Sequence, residues 1–251
     1  MIKLIITTAF TFFSFLVFAQ NNMRPVEELI SRNEPGWKIL QKWIDSSTND
    51  VVVLPTDTIT SKEALFKTQV TTHSPLGSII YFTGGLLIDH GWIRILGSGK
   101  GRLTRSVPDW NKGKSFQEFG DAPGFLLIAD DVVGGFFAMN GGKFGKADIG
   151  KIYYLSPDRL EWEALDLTYT EFLLFCFNGD LVKFYGEMRW EKWAKQVSKM
   201  NADKVYNFSP PLWTKEGKDI SKDKRKAIPA AEQYQFNMQA RKTLKLDDIE
   251  N

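Results

Sequence analysis

The chain has 251 residues, with 32 basic and 30 acidic side chains, a formal net charge of +2 and a single cysteine. Near neutrality gives no overall electrostatic reason to expect nucleic acid as a partner, and one cysteine excludes an intramolecular disulfide. Aromatic residues make up 14 % of the chain, and eight of them are Trp, so a substantial core is available.

The first residues carry an export pattern. Lys3 precedes an apolar stretch over 4–18 without a charged side chain, and Val17 and Ala19 supply the small side chains that a signal peptidase needs. The expectation is a signal peptide over 1–19, cleavage between Ala19 and Gln20, and a periplasmic or secreted product. A membrane anchor is the competing reading. The run is shorter than the roughly 20 apolar residues of a spanning helix, and Thr7, Thr8, Thr11 and Ser14 interrupt it. After cleavage no segment suits a membrane span.

Residues 23–48 read as helical. Val26, Leu29 and Ile30 recur at helical spacing behind Pro25, residues 33–36 interrupt, and a second helix over 37–44 presents Trp37, Leu40, Trp43 and Ile44 on one face. A buried segment or strand at 51–54 stops at Pro55. A weak helix over 60–70 and a loop over 71–75 follow. Strand patterns then run over 79–82, 86–88, 92–96, 124–129, 135–139 and 151–155, separated by Gly-rich turns and by a polar loop through Trp110 and Asn111. Helices return at Thr170, where Phe172, Leu173, Cys176 and Phe177 are apolar, and again over 190–200. The order implies an α+β fold: an antiparallel sheet of about six strands flanked by N-terminal and C-terminal helices. Residues 20–215 read as one domain, and 216–251 as a charged, partly ordered tail.

Chemical motifs are sparse. The Gly-Gly-Lys-Phe-Gly-Lys run ending at Lys146 lacks the Ser/Thr and the following helix of a phosphate loop, so it reads as a hairpin turn. Asp130 and Asp131 follow a hydrophobic strand and could serve as ligands or as an acid/base pair, but neighbours on a strand point to opposite faces. His73 and His90 lack metal-ligand spacing, although Asp89-His90 could form a pair. Cys176 sits among Leu174, Phe175 and Phe177 and reads as an inert buried thiol. No metal site and no cofactor is expected. Trp110, Asn111 and Trp213 lie in polar or Pro-rich stretches, where an aromatic either anchors a partner or caps the sheet.

Residues 124–142, with Asp130, Asp131, Gly134, Gly135, Asn140 and Gly141, resemble the signature of DUF2625, a bacterial family of unknown function. The resemblance extends from residues 94–99 and Trp110-Asn111 through Tyr153, Pro157, Trp162 and Arg189-Trp190 to Pro210, Pro211 and Trp213. The order of elements is also similar to the SUKH superfamily, many of whose members are immunity proteins that bind toxins. That likeness implies a non-enzymatic protein- or peptide-binding module, with a toxin or envelope protein as partner. The residues expected at its ligand site are Trp110, Asn111, Asp130, Asp131, Asn140 and Trp213. The alternative is an envelope hydrolase using Asp130, Asp131 and His90.

Overall fold

The structure is a computed structural model that describes residues 23–246. The expected signal peptide, 1–19, lies outside the described residues. Helices α1 (Val26–Leu29) and α2 (Pro35–Asp45), strand β1 (Val51–Leu54), and helices α3 (Thr58–Thr68) and α4 (Pro75–Phe82) come first. Strands β2 (Gly85–Ile88) and β3 (Ile93–Leu96), helix α5 (Val107–Asn111) and strands β4 (Phe125–Asp131), β5 (Phe136–Asn140), β6 (Lys151–Leu155) and β7 (Trp162–Thr168) follow. Helices α6 (Tyr169–Asn178), α7 (Leu181–Tyr185) and α8 (Trp193–Val197) precede β8 (Lys204–Ser209), β9 (Lys224–Pro229) and α9 (Ala230–Leu244). No helix among the described residues is long and apolar enough to cross a membrane.

The fold is α+β. Strands β1 to β7 form one antiparallel sheet in chain order, and β8 and β9 form a separate two-stranded ribbon. Helix α6 packs on one face, where Phe172 meets Phe137, with α2 and α4 beside it. The ribbon, α5 and α9 cover the other face, where Trp110 and Tyr234 pack on Phe136.

One irregularity decides which residues share a face. Register shifts between Leu127 and Ala129, so Ile128 is an extra residue in β4. Phe125 and Asp130, an odd number of residues apart, therefore both face α9 and the ribbon. Asp130 lies opposite Arg94 on β3, and Phe125 lies opposite Asn140 on β5.

Three expectations change. Residues 79–82, read as a strand, form the end of helix α4. Ser74 caps its first turn by accepting from the Gly77 amide, and Pro75 sits at the first helical position. A short apolar run has no period of its own, so these start signals decide its state. Trp110 and Asn111, placed in a loop, belong to α5, which Ser106 caps in the same way. Within residues 216–251, expected as a charged, partly ordered tail, the described part to residue 246 contains β9 and the fifteen-residue helix α9. Besides Ala230 and Tyr234, that helix docks through a polar stripe: Gln233, Asn237 and Arg241 are buried at one-turn intervals. Asn237 donates to the Gly134 carbonyl at 3.0 Å, and Arg241 donates to the Leu160 carbonyl. A helix buried along a polar stripe carries no hydrophobic period, which is why its sequence reads as a tail.

Candidate binding cleft

Most of the expected site residues are engaged in holding the fold. Asp130 is fully buried between two guanidinium groups. Arg94 Nη2 stands 2.5 Å from Asp130 Oδ1 as an ion pair by distance, without hydrogen-bond alignment. Arg105 donates to the other oxygen and, through Nε, to Asp203 at 3.1 Å. Burial pushes the Arg94 pKa down, opposed by the charge of Asp130. Asp131 is equally buried on the opposite face. Its Oδ1 accepts from the amides of Val133 and Gly135, and its Oδ2 from the hydroxyls of Tyr154 and Tyr185. Burial raises the Asp131 pKa, and the donors pull it back. His90 is half exposed in the β2–β3 turn, 3.7 Å from Asp50. The three residues of the hydrolase reading are thus not brought into one cleft.

The two asparagines are structural ties. Asn111 donates to the Val107 and Leu127 carbonyls and accepts from the Leu127 amide, which fastens α5 to the irregular part of β4. Asn140 accepts from the Gly142 and Phe144 amides and donates to the Gly145 carbonyl, closing the turn after β5. Trp110 is buried, with Arg105 and Lys114 over its ring at 4.7 and 4.1 Å. Trp213 is half-buried and packs in a tilted arrangement against Phe236 of α9, with ring centroids 5.3 Å apart. Cys176 is buried in α6, and burial pushes its thiol pKa well above the usual range.

A concave surface lies at the other end of β4. The turn after α5, the β5–β6 turn, β7 and α9 enclose a cleft of about 820 Å³. Its floor joins Phe125, Phe144 and Trp162, with ring centroids 4.9 to 6.1 Å apart. Helix α9 contributes Tyr234, Met238 and Lys242 as one stripe, one turn between each, and Gln235 and Gln239 as the next. Lys112 and Lys114 stand on the wall after α5, and Lys143 on the β5–β6 turn. Lys112 pairs with Glu118 at 2.9 Å. Lys114 donates to the Trp110 carbonyl at 2.6 Å, and burial together with nearby Arg105 lowers its pKa.

Four lysines around aromatic rings, with no carboxylate in the lining, suit an anionic ligand with an apolar part. Two further cavities are less suited. One, of about 200 Å³ behind Phe116 and Met139, is small; the other, of about 520 Å³ near Tyr185, mixes Asp158 and Glu187 with Arg159 and Lys218. None of the cleft residues is among those expected at the ligand site: Lys143 and Phe144 belong to the run read as a hairpin turn, and Trp162 enters only through the family resemblance. The one available signal was the spacing of Tyr234, Met238 and Lys242, which matches one side of a helix.

Fold and cleft together define an α+β domain built on a seven-stranded antiparallel meander, with a basic, aromatic-floored cleft on one face. The chain belongs to the family described as "Protein of unknown function DUF2625", whose match covers residues 26–233. It is similar to an uncharacterized protein of Haemophilus influenzae, 42 % identical over 217 residues, which covers 86 % of this chain and 91 % of that protein. It is also similar to the putative uncharacterized protein YbfG of Escherichia coli K12, 39 % identical over 221 residues, covering 88 % of this chain and 99 % of that protein. No solved structure matches the chain.

Proposed function

We propose that the protein is exported and acts as a non-enzymatic module that binds a protein or peptide partner in the cleft between β4 and α9. The observation that carries this reading is the contrast in use of side chains. Asp130, Asp131, Asn111 and Asn140 are engaged in internal bonds, whereas the cleft presents exposed Lys242, Gln235 and Gln239 beside the apolar edges of Phe125 and Met238. Such a surface holds a ligand, and its lining brings together no carboxylate, imidazole or thiol.

Site-specific photocrosslinking in cells tests it. A benzoylphenylalanine at Gln239, in the cleft, is expected to give one adduct of defined mass, absent when the probe stands at exposed Gln41 on α2. No adduct at Gln239, or the same adducts from both positions, overturns the reading. Export is tested separately by N-terminal sequencing of the native protein, with Gln20 expected first in a periplasmic fraction; an intact Met1 in the cytosol refutes it.

A further inference from the structure

We infer that the cleft takes an acidic peptide segment carrying an aromatic or other large apolar side chain, a proposal that rests on the binding-module reading above. The charge of the lining is one-signed: Lys112 and Lys114 on one wall, Lys143 on a second and Lys242 on α9, with Lys112 also paired to Glu118. Ammonium groups are compact point charges with no planar fork, and they accommodate carboxylates arriving at varied angles. Between them, Phe125 and Met238 are half-buried and leave an apolar slot, and the flexible thioether of Met238 adapts to different side chains. Gln235 and Gln239 are exposed one turn apart along the wall. Each amide both donates and accepts, which matches the N–H and C=O groups of an extended peptide.

The same features disfavour a nucleic acid strand. Single-strand binders stack bases on accessible rings along a basic track that follows the backbone. Here Phe144 and Trp162 are 1 % and 5 % exposed, so their faces are closed by neighbouring rings.

Fluorescence anisotropy with the full chain tests the inference. The probes are fluorescein-labelled Asp-Glu-Phe-Asp-Glu, its charge-reversed counterpart Lys-Lys-Phe-Lys-Lys, and a five-nucleotide oligothymidylate. The acidic peptide is expected to bind best and to weaken as salt is raised. Lys143→Glu and Lys242→Glu, with unchanged melting temperatures, are each expected to weaken it about tenfold, because reversed charges at a binding rim repel the ligand. Equal or tighter binding of the basic peptide or the oligothymidylate overturns the inference, as does wild-type affinity in both variants. If it fails while the Gln239 crosslink persists, the binding-module reading stands with a ligand of different chemistry; loss of the crosslink removes that reading itself.

Discussion

The two ends of strand β4 face the same side of the sheet and are built for opposite purposes. At Asp130 every nearby polar group is drawn inward: Arg94, Arg105 and Asp203 form a chain of charges that closes the ribbon onto the sheet. At Phe125 the same face opens into a cleft with an apolar floor and lysines in its walls. The extra residue at Ile128 lets one strand serve both, because it returns Phe125 to the face that Asp130 occupies. Polar residues are therefore poor guides to function here. Those that are buried and paired specify the fold, and those that rim a concavity are available to a ligand.

The largest effect should come from breaking the closed end. Asp130→Ala leaves Arg94, only 1 % exposed, without its carboxylate partner. Removing one member of a buried pair typically costs about 3–5 kcal/mol, read from the shift in a denaturant unfolding curve. A change below about 1 kcal/mol, within the range of exposed ion pairs, would contradict the closed-end account.

A smaller loss is expected on the far face. Leu173, Cys176 and Phe177 of α6 are all buried, so Cys176→Ser places a hydroxyl among apolar neighbours, at about 1–3 kcal/mol if it stays unpaired. Thiol reagents should label native protein far more slowly than unfolded protein, since burial raises the Cys176 pKa and shields the sulfur. Rapid native labelling together with an unchanged melting temperature would refute this placement of α6.

Next in size is the cap that joins β7 to α6. Thr168 accepts from the Glu171 amide at 3.3 Å, and the Glu171 carboxylate accepts from the Thr168 amide at 2.7 Å. Thr168→Ala should cost about 1 kcal/mol. The Thr168 amide holds the Glu171 carboxyl below its ordinary range, and the bond from Lys100 does the same for Asp57 at the start of α3. A carboxyl with a lowered folded pKa stabilises fully above its unfolded value, about 4, and loses that contribution as pH falls through the folded value. Melting temperatures of Glu171→Gln should therefore fall less steeply than wild type below about pH 4; parallel curves would remove Glu171 from the account.

The smallest effect on stability belongs to the open end. Lys242 is exposed in the last turn of α9, so Lys242→Glu should change stability by no more than about 0.5 kcal/mol. A large loss would show that this lysine supports the helix and does not simply rim a cleft.

Much of the fold was legible in the sequence because its elements carry local signals. The strands expected over 86–88, 92–96, 124–129, 135–139 and 151–155 correspond to β2, β3, β4, β5 and β6 with bounds shifted by no more than two residues, and the helix expected from Thr170 runs from Tyr169 with its apolar residues against the sheet. Residues 79–82 misled because four apolar residues suit either state. Strand β7 escaped notice because Glu163 and Asp166 dilute its pattern, although its burial alternates along most of its length. The expected site was legible only as a set of unusual polar residues. Whether Asp130 or Asn140 meets a ligand or a backbone amide depends on what packs above it, and that information is distant in sequence.

The sequence by itself determined family membership, the α+β class, the antiparallel meander and the burial of Cys176, since each depends on residue types at short spacing. Only the tertiary structure decided that Asp130 and Asp131 are closed off on opposite faces, that residues 230–244 form a helix held by Gln233, Asn237 and Arg241, and that lysines from two separate segments and α9 surround one cleft. The reason is physical: a polar side chain has no preferred environment of its own, and its role follows from the donors, acceptors and charges that the fold brings within reach.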